Sequence, residues 1–155
     1  MLYMAYIQSH FNYCTGYWWK NGLQKLFRIQ KRAIRIISTT NDPVKKMEDL
    51  EILPLPLAIT YNLCTFLHDQ IMFRRPKVLD ICMLGSGRTT RAEKTRLIKL
   101  ERKNRRVGRD SLGVRAARIW NCLPMVIRTT DSRSLFKKRL KNHLLKSTNA
   151  RLNYF

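Results

Sequence analysis

The sequence predicts a mainly α fold: a small helical domain carrying a short basic two-strand hairpin in its second half, so that an α+β arrangement stays open. Three observations point there. Leu23 to Ile37 repeats its apolar residues at helical spacing over about four turns. Pro and Gly punctuate the chain at intervals that suit helices joined by turns. Only residues 97–114 scatter single apolar residues through an Arg-rich stretch, a pattern closer to strands than to a helix face. With 155 residues, 45% of them hydrophobic, the chain is long enough to bury a core and too apolar for wholesale disorder.

Taken in order, residues 2–15 are expected to form a buried helix. "TGYWWKNG" follows as a turn marked by Gly16 and Gly22. In "LQKLFRIQKRAIRII", at about 100° per residue, Lys25, Arg28, Lys31, Arg32 and Arg35 gather on one face. Leu23, Leu26, Phe27, Ile29, Ala33, Ile34, Ile36 and Ile37 take the other side and are expected in the core. Asp42 before Pro43 has the form of an N-cap followed by a first-position proline. "ILPLP" ends that short helix, and Pro56 to about Phe73 forms the next, with Leu57, Tyr61, Cys64, Leu67 and Ile71 on one face. "RRPKVLDICMLGSG" is a loop. Strands are predicted at about 97–101 and 109–114. "AARIWNCL" is a short helix stopped by Pro124. The last helix, about 133–146, is capped by Asp131 or Ser132, with Leu135, Phe136, Leu140 and Leu144 inward.

Charge separates the chain into two parts. There are 31 Lys and Arg against 10 Asp and Glu, a formal net of +21. Residues 1–87, the helical part, hold 11 basic and 6 acidic residues; residues 88–155 hold 20 and 4. The two parts are expected to fold together as one unit. Self-repulsion on this scale is relieved by a polyanion, and each phosphate neutralised releases counterions, so RNA or DNA backbone is the expected partner. The densest cations are Arg96, Arg102, Lys103, Arg105, Arg106 and Arg109, followed by Lys137, Lys138 and Lys141 on the last helix. Guanidinium forks suit phosphate oxygens, which favours backbone contact over base reading.

Several chemistries are not written here. No Tyr-X-Asp-Asp occurs, and Glu48, Asp49 and Glu51 beside a short helix read as a solvated face rather than a metal-holding carboxylate group. No phosphate-binding glycine loop is present. His10 with Cys14, and Cys64 with His68, are each four apart and could together supply four zinc ligands, but the spacing is not finger-like and core packing is the better account. No enzyme activity, metal, cofactor or small-molecule substrate is expected of this chain. Four scattered cysteines without a CxxC pair suit free thiols in an intracellular compartment, nucleus or cytoplasm. The apolar N-terminal stretch, interrupted by Gln8, His10 and Asn12, reads poorly as a signal peptide or a membrane span.

These blocks, in this order, resemble the C-terminal region of reverse transcriptases from non-LTR (LINE-type, jockey-like) retrotransposons, downstream of the polymerase palm. "YIQSHFNYCTGYWW" is similar to that family's Tyr-containing helix and Trp turn. Leu23, Leu26, Gln30, Lys31, Ala33, Arg35 and Ile37 match its Leu-X-X-Leu-X-X-X-Gln-Lys-X-Ala-X-Arg-X-Ile helix. "LEILPL" resembles a further block, and "GVRAARIWNCLPMVIR" with "SLFKKRLKNHLL" the terminal one, at Gly113, Trp120, Asn121, Leu123, Pro124, Phe136, Lys137 and Leu140. The resemblance covers about residues 6–146. It implies an RNA-directed DNA polymerase as the parent protein, with residues 1–87 thumb- or connector-like and the catalytic palm lying upstream as a partner domain. It also implies that this transposable-element fragment holds template RNA or target DNA.

Within the terminal block, Trp120, Asn121, Leu123, Pro124 and Phe136 read as a structural clamp that anchors the basic segments on either side. The indole buries area, Asn121 caps backbone groups at the helix end, and Pro124 stops the helix. Two other readings compete with the retroelement one: a stand-alone basic ribonucleoprotein component that binds RNA, and, ranked last, a peripheral membrane binder using the 23–37 helix.

Overall fold

A computed structural model of the chain describes residues 3–13, 15–38, 41–73, 95–100 and 111–147. A π-helical turn over Met4–Gln8 leads into α1 (Ser9–Asn12). Then follow α2 (Thr15–Ser38), α3 (Pro43–Asp49), α4 (Leu55–Phe73), α5 (Leu112–Cys122), α6 (Met125–Arg128) and α7 (Arg133–Ser147). The fold is mainly α, and no strand occurs among the described residues. The chain forms two compact units. One comprises the described residues up to Asn62 and those from Lys141 onward; the other comprises those from Leu63 to Leu140. The division expected at residue 87 falls among residues 74–94, outside the described residues.

In the first unit α2 is a single helix of 24 residues, and it corrects the turn expected at "TGYWWKNG". Gly16 and Gly22 each cost only about 1 kcal/mol in a helix interior, too little to outweigh propagation of a helix already nucleated. Ile34 is buried with Tyr3, Met47 and Ile52, while Ile7, Phe27 and Ala33 pack against them. Phe11, Leu55 and Ile59 form a second cluster, joined by Leu23, Leu26 and again Ile7 and Phe27.

At the centre of this buried arc lies a polar side chain. Gln30 is fully buried. Its amide Nε2 donates to Tyr3 Oη at 2.9 Å and to the Leu53 carbonyl at 3.2 Å. Its Oε1 accepts from the Leu55 backbone N–H at 2.7 Å. Leu55 opens α4, so its N–H has no partner within that helix, and Gln30 supplies one. The helical spacing places Gln30 between Leu23, Leu26 and Ile34, and the buried arc centres there. Ile29, Ile36 and Ile37, expected in the core, are instead 54%, 73% and 54% exposed. At about 100° per residue Ile29 and Ile36 project beside Lys25 and Arg32, well away from Gln30 and Ile34.

Two turns are fixed by side chains. Asp42 Oδ1 accepts from the Val44 and Lys45 backbone N–H groups at 3.1 and 3.2 Å, with Pro43 opening α3. Glu51 sits at φ 52°, the left-handed region. Its carboxylate accepts from Lys141 Nζ at 2.7 Å, and that hydrogen bond, with the ammonium charge, holds the carboxyl below its ordinary range.

α4 is buried on nearly every side from Leu55 to Thr60, as suits a helix without a polar face. It starts at Leu55, one residue earlier than predicted; Tyr61 and Ile71, expected on its inner face, are only partly buried. In the second unit His68 stacks on Phe136 of α7 with ring centroids 4.1 Å apart. Phe136 meets Trp120 of α5 at 5.9 Å. Trp120, Phe136 and Leu140 are fully buried. α7 turns Leu144 inward as well, whereas Leu135, expected inward, is 41% exposed.

The predicted hairpin is corrected. Residues 112–114, assigned to its second strand, form the first turn of α5. Val114, Ala117 and Trp120 recur every three residues, with Ala116 and Ile119 beside them, so one face of a helix is buried from the first turn. Of the first strand, residues 97–100 form no strand, and residues 101–110 lie outside the described residues.

Candidate nucleic-acid interface

α2 presents its cations together. Lys25, Arg28, Arg32 and Arg35 are exposed, and Lys31 is half-buried with its ammonium 4.4 Å from the centroid of the Phe27 ring. Between Thr15 and Ser38 there is no Asp or Glu. Among the described residues none of these five pairs with a carboxylate. Five pairs among them stand three or four residues apart: 25/28, 28/31, 28/32, 31/35 and 32/35. At about 0.2–0.5 kcal/mol for each like-charge pair, the stripe carries about 1–2.5 kcal/mol of repulsion.

The other sequence-predicted cations divide. Arg102, Lys103, Arg105, Arg106 and Arg109 lie outside the described residues. On α7, Lys138 is exposed and Lys137 half-buried, while Lys141 is engaged by Glu51. Arg96 serves the fold. Its Nη1 donates to the Arg128 and Thr130 carbonyls, each at 3.3 Å, and its Nη2 to Asp131 Oδ1. Arg139 Nη1 donates to Thr130 Oγ1 at 3.0 Å and to the Val126 carbonyl at 3.4 Å. Arg133 pairs with Asp69 at 2.8 Å.

Asp131 therefore does not cap α7. Ser132 provides the first acceptor there, its carbonyl taking the Phe136 N–H at 2.8 Å, and its hydroxyl meets that of Ser134.

Trp120 and Asn121 hold the segment around Ile98 to α5. Trp120 Nε1 donates to the Arg96 carbonyl at 2.7 Å. The Asn121 amide takes both backbone groups of Ile98: Oδ1 accepts its N–H at 3.0 Å and Nδ2 donates to its carbonyl at 2.9 Å. This corrects the expectation that Asn121 caps the end of its own helix. The side chain points sideways and acts as a strand partner of one residue. Arg96 has φ 52°, a left-handed conformation costing about 1–2 kcal/mol outside glycine, and these flanking bonds fix it. Leu123 is buried behind Trp120, and Pro124 separates α5 from α6.

Among the described residues no three His, Cys, Asp or Glu side chains converge as metal ligands. His68 Nε2 lies 2.9 Å from the Thr130 carbonyl. Burial pushes the Cys64 thiol up to about 12. Cys14, the third member of the zinc reading, lies outside the described residues, and His10 is exposed. No described helix is long and apolar enough to cross a membrane.

Two residues escaped the sequence reading. Gln30 left a signal there, as a polar residue at the midpoint of an apolar arc. Arg128 left none: it is 7% exposed, and nothing in "PMVIRTT" marks it as interior. Comparison with protein-family models, with curated proteins and with solved structures finds no match.

Proposed function

We propose that this chain is a nucleic-acid-binding module of a retrotransposon-encoded RNA-directed DNA polymerase, one that holds template RNA or target DNA while other protein performs the chemistry. The observation that carries the reading is the α2 face: Lys25, Arg28, Lys31, Arg32 and Arg35 side by side, with no carboxylate in the helix. From Lys25 to Arg35 the stripe runs about 15 Å, at about 1.5 Å per residue. Duplex nucleic acid carries about one charge per 1.7 Å, so the stripe parallels roughly nine phosphate charges. Contact with them turns the internal repulsion of the helix into attraction. The retroelement part of the reading rests on the ordered resemblance of residues 6–146.

The test is fluorescence anisotropy of a labelled single strand across a salt series, with the full chain. Replacing the five cations by Gln is expected to flatten the log–log salt slope by about 3.5, at about 0.7 for each phosphate released from a single strand. Circular dichroism should show nearly the same helix content, since four of the five groups face solvent and only Lys31, over the Phe27 ring, is half-buried. A slope unaltered by the five substitutions removes α2 from the interface.

A further inference from the structure

Two isoleucines of α2 lie in water. Ile29 is 54% and Ile36 73% exposed. They stand seven residues apart, so they are about 10 Å apart along the helix axis and about 20° apart around it. Ile37, also exposed, lies about 80° further round and is not part of this ridge. Single exposed apolar side chains are ordinary on a protein surface; two in line on one ridge form a narrow apolar track. On one side the track is bordered by Ala33, which packs against the core. On the other, Lys25 follows about 20° beyond Ile36, with Arg32, Arg28 and Arg35 after it, all of them exposed. The solvent face of α2 therefore carries an apolar track and a cation track in parallel, with no Asp or Glu between Thr15 and Ser38.

A complementary occupant offers negative charge and apolar surface side by side. A paired duplex offers only the first along its outside: its base faces are stacked within, and phosphate and sugar lie over isoleucines and cations alike. An anionic bilayer offers both, but it takes up a broad apolar face with a charged face opposite. Here the exposed apolar track is one side chain wide, cations border it on one flank only, and the broad apolar face of α2 is taken up by the core. A single strand offers both in the required arrangement, with phosphates along one edge and unpaired base faces along the other. Stacked at about 3.4 Å per nucleotide, about three bases span the distance from Ile29 to Ile36.

We infer that the α2 face takes single-stranded nucleic acid, with phosphates on Lys25, Arg28, Arg32 and Arg35 and unpaired bases covering Ile29 and Ile36. The isoleucines meet the flat apolar faces of the bases and not their hydrogen-bonding edges, so the contact tolerates any sequence. The inference rests on the nucleic-acid reading of this same face and narrows it to an unpaired strand. Its distinctive residues are the two isoleucines, which carry no charge, so it can fail while the charge-based reading stands.

The experiment compares the full wild-type chain with the double variant I29Q/I36Q, which keeps every cation. Anisotropy follows three labelled probes: a mixed-sequence DNA single strand, an abasic strand of the same length, and the duplex. Both sites face solvent, so the double variant should melt as wild type does; I36Q alone, at the more exposed site, should show a smaller loss of the same kind. Wild type is expected to bind the intact strand about tenfold or more tighter than the abasic one. The double variant should bind the intact strand about tenfold more weakly than wild type, and the abasic strand and the duplex as wild type does. Its salt slope on the intact strand should match that of wild type, because no phosphate contact has been removed. Equal weakening on the intact and abasic strands overturns the inference, since the isoleucines then do not meet bases. Duplex binding that falls by the same factor as single-strand binding overturns it as well. Flotation with phosphatidylcholine–phosphatidylserine vesicles, in competition with the single strand, supplies the last arm: if wild type floats and the double variant does not, lipid covers the apolar track and the assignment is lost. Strand binding that depends on the five α2 cations but is indifferent to Ile29 and Ile36 leaves the proposed function standing and sinks this inference. Strand binding indifferent to the cations removes both.

Discussion

Replacing Gln30 by Leu tests how much of the first unit depends on one buried amide. The side chains are similar in size, so the change removes hydrogen bonds without opening a large cavity. Three bonds are lost, but their partners are not equally harmed. Tyr3 keeps its donation to Gln8 Oε1 at 2.9 Å, so its hydroxyl stays satisfied. The Leu53 carbonyl, on a half-buried residue, loses about 1 kcal/mol. The Leu55 N–H is the serious loss, because Leu55 is 1% exposed and its helix offers it no acceptor; an orphaned buried donor costs about 1–3 kcal/mol. Allowing about 1 kcal/mol back for the more apolar side chain, the net is about 1–3 kcal/mol. In a chain of this size that is roughly 2–12 °C in Tm. Urea unfolding should show a lower midpoint with an unchanged slope, since the surface exposed on unfolding is the same. Amide exchange at Leu55 should accelerate more than at Ile59, one turn further in. Tyr3→Phe in the same background gives the coupling: Q30L should remove the share of the Y3F cost that belongs to the Gln30–Tyr3 bond and leave the share of the Tyr3–Gln8 bond. A Q30L chain that unfolds at the wild-type midpoint refutes the reasoning, because the bonds would then contribute nothing.

Two further outcomes follow from the second unit. Asn121→Leu removes both bonds to Ile98 and should cost about 2–3 kcal/mol, with faster exchange of the Ile98 amide and little change in α5 helicity by circular dichroism; equal protection of Ile98 in both chains would place its backbone bonds elsewhere. The Cys64 thiol, moved from 9.0 to about 12 by burial, keeps its proton in the folded chain where the unfolded chain releases it. Its stabilisation is whole below pH 9 and drains away as pH rises toward about 12, about 4 kcal/mol in all at about 1.4 kcal/mol per pH unit. Urea midpoints should therefore fall more steeply above pH 9 in wild type than in C64A, and alkylation mapped by mass spectrometry at pH 8 should find Cys122, which is exposed, modified well before Cys64. Parallel alkaline limbs in the two chains would count against a buried thiol.

What the sequence made legible was the part that depends on local rules. The α2 stripe, the Asp42–Pro43 start of α3 and the stop at Pro124 each follow from spacing or from one residue's backbone chemistry. Misreadings arose where a weak local signal met a stronger non-local one. Gly16 and Gly22 look like punctuation, but two modest propensity costs do not break a helix that continues for four more turns. Arg-rich composition around 109–114 masked the helical spacing of Val114, Ala117 and Trp120. Hydrophobicity overcounted the core of α2, since Ile29 and Ile36 lie on the cation side and only the position of Gln30 marks the true centre. Among the cations, charge by itself could not separate Arg96 and Lys141, held by acceptors of the chain, from Arg28 and Arg32, which are not.

That last distinction follows from arithmetic as much as from geometry. With 31 cations and 10 acids, most arginines and lysines have no carboxylate to meet. Some turn to main-chain carbonyls, as the half-buried Arg96 does at Arg128 and Thr130 and the exposed Arg139 at Val126. Main-chain acceptors are themselves limited, because helices take up nearly all of theirs and leave free only the last four carbonyls of each. The short α6 ends in such carbonyls, and the arginines gather around them. Arg128, on the same short helix, keeps its Nε and Nη1 without a partner among the described residues. On α2 the same scarcity acts differently: its carbonyls are committed along 24 residues, so its cations have only solvent or an external polyanion to face. A chain so short of acceptors leaves its surplus donors arranged by the helices that carry them, and on the proposed reading it is that arrangement, rather than net charge alone, that grips a phosphate backbone.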